Sequence, residues 1–172
     1  MSEARVKPIP LRAMRADRES AVASDDKLEL KVWLRLLTCA NLIEGQVRNL
    51  LRENFATTLP RFDLLAQLDR APDGLTMGEL SSRLMVTNGN VTALADALVR
   101  EGLVLREAHP SDRRSLCLRL SAEGKRVFDA MTPAHEQWID LMMGELSRDE
   151  LARLLDLLGK LKRAARRNER IS

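Results

Sequence analysis

Thr87, Asn88, Asn90 and Thr92 are packed into one short stretch of the chain, interrupted by Gly89 and followed by Ala93. An Asn side chain can donate to and accept from an adenine edge, and a Thr methyl or an Ala can touch a thymine methyl. Gly89 permits close backbone approach, and the free N–H groups at a helix start favour a phosphate. Thr87 and Asn88 have an alternative use as helix caps. Farther along lie Asp112, Arg113 and Arg114. An Arg there can reach into a narrow minor groove, where negative potential is strongest. Asp112 would orient an Arg, because its own charge repels phosphate; the plainer alternative is a solvated turn with a local ion pair. Read together, these residues describe recognition of duplex DNA.

The surrounding sequence supplies elements to hold them. Thr76 with Glu79 forms a capping box for a helix that buries Met77, Leu80 and Leu84. After a Val86-Thr87 turn, Val91, Leu94, Ala95, Leu98 and Val99 recur at helical spacing, and Gly102 stops that helix. Residues 103–108 and 115–120 read as two strands around a polar tip, with Leu116, Leu118 and Leu120 alternating. The expected unit is a winged helix-turn-helix. Upstream, residues 27–55 form a long helix whose broad apolar face (Leu30, Trp33, Leu34, Leu37, Ala40, Leu42, Ile43, Val47, Leu50, Leu51) calls for a partner helix. Thr58 can cap a second helix with Pro60 in its first turn; Phe62, Leu64, Leu65 and Leu68 are its apolar side, and residues 71–74 end it. Ser121 can cap a fifth helix running to about Leu146, bent near Pro133. Ser147 and Glu150 start a sixth, with Leu151, Leu154, Leu155, Leu158 and Leu161 as a narrow seam for helix pairing. The predicted fold is mainly α with a small β-wing. Its parts are a flexible arm (1–26), a dimerisation and a support helix (27–70), the winged helix-turn-helix (71–121) and C-terminal dimerisation helices (122–172).

Composition narrows the function classes. The chain of 172 residues is 45% hydrophobic and 31% charged, ordinary for a helical soluble protein. Aromatics are 3% and Tyr is absent, which argues against a single-strand binder that stacks bases. Net charge is +3, but residues 75–124 hold six Arg against six acids, so phosphate affinity depends on placement rather than on a bulk basic field. Two Cys and two His are too few for a disulfide framework or a four-ligand zinc site. No apolar run suits a membrane span or a signal peptide, so a cytoplasmic location is expected. With no Gly-rich phosphate loop, catalytic triad or paired carboxylates in a recognisable site, the chain does not read as an enzyme.

The run MVTNGNVTALADALVREGLVLREAHPSDRRSLCLRLSAEG resembles the MarR family of bacterial transcriptional regulators. The start of the recognition helix, REGLV, the DRR of the wing and the LSAEG after it fall in the family's order and spacing. The resemblance extends more loosely over residues 30–166. It implies an obligate homodimer with interlocked first, fifth and sixth helices, binding a pseudo-palindromic operator. It also matches Asp112 and Arg114 to the wing pair and the 87–92 segment to the base-reading residues. Ala93-Leu94-Ala95 departs from the bulkier or Gly-containing sequence of many relatives and leaves that helix fewer polar arms.

The resemblance further implies repression relieved by a small aromatic effector and no cofactor. The stretch WLRLLTCANLIEGQVRNLLRENFATTLPRFDLLAQLDR looks like the branch controlling aromatic-acid catabolism, in particular repressors answering p-coumaroyl-CoA-type thioesters. Trp33, Ile43, Phe62, Leu65 and Trp138 could wall an apolar slot, with Asn41, Arg48 and Arg61 meeting a polar or anionic group; the competing role of the apolar set is core packing. Some relatives sense oxidants through a first-helix Cys, which would give Cys39 that role. A winged protein-interaction module that ignores DNA is the remaining alternative.

Overall fold

The computed structural model describes residues 27–108 and 116–168, and the chain divides within its first helix into two compact units, Met1–Gln46 and Val47–Ser172. Helix α1 spans Leu28–Phe55, as the periodicity predicts. In the first unit Leu28, Leu30, Val32, Trp33 and Leu42 are exposed, while Leu34, Leu37 and Ile43 are half-buried.

The second unit holds the core. Helix α2 (Leu59–Asp69) buries Phe62, Leu64, Leu65 and Leu68. Thr58 occupies the N-cap position but makes no side-chain cap bond. Instead its backbone carbonyl accepts from the N–H groups of Arg61 and Phe62, with Pro60 in the first turn needing no donor partner. After a turn through Gly74 comes β1 (Leu75–Thr76), a strand the sequence reading does not contain. Two residues carry no periodicity; β1 exists because Leu75 pairs with Leu118 and Thr76 with Cys117. Gly74 has φ +89°, and a Cβ there would lie 2.7 Å from the Arg119 side chain, so both backbone and packing demand Gly.

Helix α3 (Met77–Leu84) begins at the expected capping box, Thr76 and Glu79 each bonding the other's backbone N–H. Helix α4 spans Asn88–Arg100, and Gly102 at φ +73° turns the chain into β2 (Val104–Ala108). β2 pairs antiparallel with β3 (Leu116–Leu120), giving the sheet order β1-β3-β2. Helix α5 (Ala122–Met142) is capped by Ser121, whose Oγ accepts from the Gly124 N–H at 2.9 Å. The same hydroxyl donates to the Gly102 carbonyl at 2.6 Å, which fastens α5 to the end of α4. α5 continues through Pro133 and stops at Met142, short of the expected Leu146, because the Met143, Gly144 and Leu146 N–H groups turn back onto Ile139, Leu141 and Met143. Helix α6 (Arg148–Asn168) starts at the Ser147–Glu150 box and leaves Leu154, Leu155, Leu157, Leu158 and Leu161 exposed.

Candidate nucleic-acid interface

α4 divides cleanly into two faces. Val91, Ala95 and Leu98 are fully buried, so the helix is pinned to the core along one side. Thr87, Gly89, Asn90, Thr92 and Ala93 are exposed on its first turns. Thr87 is the N-cap residue but contributes no side-chain cap bond; its carbonyl accepts from the Val91 N–H at 3.2 Å. Capping therefore does not occupy the Thr87 hydroxyl. The turn before it contains Met85 at φ +55°, the left-handed region, with its side chain 85% exposed. An unbranched hydrophobe in that conformation, held out into solvent, has no packing reason to be there.

The wing is tied to α4 through side chains. Arg106 on β2 pairs with Asp96 on α4, and across the hairpin Arg119 pairs with Glu107 at 3.6 Å. The expected wing residues Asp112, Arg113 and Arg114 lie outside the described residues, as does all of 109–115.

Of the residues proposed for an effector, Trp33, Asn41 and Ile43 belong to the first unit, the first two exposed and the third half-buried. Arg48 is exposed on α1. Phe62 is in the core, stacked on His135 with centroids 4.5 Å apart and tilted against Phe128 at 5.4 Å. Trp138 is buried and packs on Phe55 at 6.1 Å. Arg61 and Leu65 instead line a cleft of about 230 Å³ beside Phe55, Leu103, Arg126 and Met131. Arg126 was not singled out by sequence: it comes to the cleft only through the packing of α5, which no local pattern announces. Arg61 donates Nη1 to Glu101 Oε1 at 2.8 Å and pairs Nη2 with Oε2. That fork raises the Arg61 pKa and holds Glu101 below its usual range. Cys39 is exposed and Cys117 is buried. Among the described residues no group of three His, Cys, Asp or Glu could hold a metal, and no helix is long and apolar enough to cross a membrane.

The model of the MarR family matches residues 57–116, the stretch from before α2 to the start of β3. A solved MarR family transcriptional regulator from Silicibacter pomeroyi is 30% identical, covering 82% of this chain and 98% of that one at a TM-score of 0.68. The chain belongs to the MarR family. Among its relatives, the HTH-type transcriptional repressor YetL of Bacillus subtilis is 34% identical over 102 residues, 59% of this chain and 61% of YetL. The chain thus spans about three fifths of the length of that relative. CouR from Rhodococcus jostii, solved with p-coumaroyl-CoA bound, is 18% identical with a TM-score of 0.69 over 76% of this chain and 90% of that one; it shares the MarR fold. YetL and the Silicibacter pomeroyi protein are transcriptional regulators.

Proposed function

We propose that this MarR protein is a homodimeric, DNA-binding transcriptional repressor released by a small aromatic effector. The observation that carries the DNA reading is the exposed polar start of α4 (Thr87, Gly89, Asn90, Thr92, Ala93) on a helix whose opposite face is buried. Such a helix presents donors, acceptors and methyls to the major groove while the core fixes its orientation. The exposed leucines of α6 support a dimer, because a stripe of this kind is stable only when a second helix covers it. Two symmetry-related copies of α4 would then read half-sites about one helical turn apart.

The Arg61 cleft supports an effector of a particular shape. Its apolar walls suit a ring and its two guanidinium groups suit an anion. At about 230 Å³ it is smaller than the roughly 300–1,000 Å³ of drug-sized pockets. It takes an aromatic acid, or the acyl end of an aromatic CoA thioester with the nucleotide outside. The ligand needs only to bind the DNA-incompetent state better than the competent one.

The test is binding to duplex from the chain's own upstream region, titrated with p-coumarate and then p-coumaroyl-CoA. Release by the thioester alone identifies a CoA-ester sensor, and release by the free acid an aromatic-acid sensor. Release by peroxide alone transfers the sensing role to the exposed Cys39. No binding, in wild type and Arg114→Ala alike, favours a protein-interaction module. In a DNA reader Arg114→Ala weakens operator binding by about 1–3 kcal/mol.

A further inference from the structure

We propose that Glu101 is the positioning residue that connects the Arg61 cleft to the recognition helix: an aromatic carboxylate in the cleft and the Glu101 carboxylate compete for one guanidinium. This rests on the regulator reading above and adds how the effector would be felt.

Glu101 is the C-cap residue of α4, the far end of the helix whose first turns face outward. A carboxylate there meets the negative end of the helix dipole, an unfavourable position. Arg61, on the first turn of α2, corrects this by donating both arms of its fork across 40 positions of sequence. The Arg61 side chain is 23% exposed and lines the cleft, so an anion there meets the same donors that Glu101 uses. Arg126, the other cation of the cleft, pairs with Glu123 on its own helix, so losing that pair frees no second element. Leu103 also lines the cleft, directly after the Gly102 turn that ends α4. Ligand entry therefore acts on the α4 terminus twice, by removing its cation and by pressing on the chain that follows it.

Competition gives a sign that a structural role would not. In the full-length protein, Glu101→Gln frees Arg61 and so tightens p-coumarate binding, by about two- to fivefold for a partly exposed pair. The same change brings the ratio of operator affinities without and with saturating p-coumarate toward one. Asp129→Asn removes an equal charge from an exposed partner of Lys125 outside the cleft, and leaves both quantities at their wild-type values. Arg61→Lys weakens p-coumarate, since an ammonium lacks the bidentate fork. Glu101→Gln binding p-coumarate no tighter than wild type, or neither protein binding it, overturns the proposal. A wild-type protein that binds p-coumarate but no operator DNA defeats the regulator reading, while the p-coumarate affinities of wild type and Glu101→Gln, measured by isothermal titration calorimetry, still decide the competition.

Discussion

Gly124 tests how rigidly α5 is set against the end of α4. It is buried in the first turn of α5, and a Cβ there would lie 1.9 Å from the Leu103 carbonyl oxygen and 2.9 Å from its carbon. Leu103 cannot easily retreat. Its carbonyl accepts the Ser121 N–H at 3.1 Å and its own N–H donates to Leu98 at 3.0 Å. Gly124→Ala therefore forces backbone against backbone, at the upper end of the roughly 1–3 kcal/mol that overpacking costs. Against this, Ala is favoured over Gly within a helix by about 1 kcal/mol. The net loss is about 2 kcal/mol, or roughly 4–8 °C in Tm for a chain of this length. Gly78→Ala provides the contrast, since nothing lies within 4 Å of a Cβ at that position. It should hold or slightly raise Tm. The assay is thermal and urea unfolding by far-UV circular dichroism at matched protein concentration, so that subunit association does not confound the comparison. A Gly124→Ala protein as stable as wild type would refute the reasoning and show that the Leu103 segment yields freely.

Three further outcomes follow from local chemistry. Met85→Gly removes a left-handed side-chain penalty of roughly 1–2 kcal/mol but gives back some unfolded-chain entropy, so Tm should rise by a few degrees; a fall would mean the exposed Met85 side chain makes a contact that matters to the fold. Ser121→Ala deletes both the cap to Gly124 and the bond to Gly102 and should lower stability in urea by about 1–2 kcal/mol. Burial against Phe62 pushes the His135 pKa below 6.5, with the Glu136 charge acting in the opposite direction. The unfolded chain therefore binds the proton first as pH falls through 6.5, and stability contributed by neutral His135 declines below that pH, down to its folded pKa. Wild type minus His135→Gln in urea titrations from pH 7.5 to about pH 5 should show this decline, and a flat difference would contradict it.

What the sequence made legible was local. The Thr76–Glu79 and Ser147–Glu150 boxes, the Ser121 cap and the Gly102 stop each depend on residues within one turn, and each stands where its spacing placed it. The two faces of α4 were legible for the same reason, through the recurrence of Val91, Ala95 and Leu98. Features built from distant segments were not. β1 owes its existence to β3, more than forty positions on, and Arg126 reaches the cleft only because α5 packs on α2. Likewise the Arg61–Glu101 fork spans 40 positions, and nothing near either residue announces the other. Met85 carried the wrong local signal altogether, since its left-handed position ordinarily belongs to Gly.

The placement of the two thiols gives the experimenter a chemical stopwatch. Cys117 lies 1% exposed at the base of the wing, its Sγ within 4.0 Å of the Asp73 carbonyl and 3.9 Å of the Ala108 carbonyl, and close against Gly74. Cys39 stands open to reagents on α1. An alkylating agent should therefore modify Cys39 at once and Cys117 only when β1 and β2 part from β3. The interval between the two events times the opening of the sheet on which the wing is mounted, in native buffer and without an added probe.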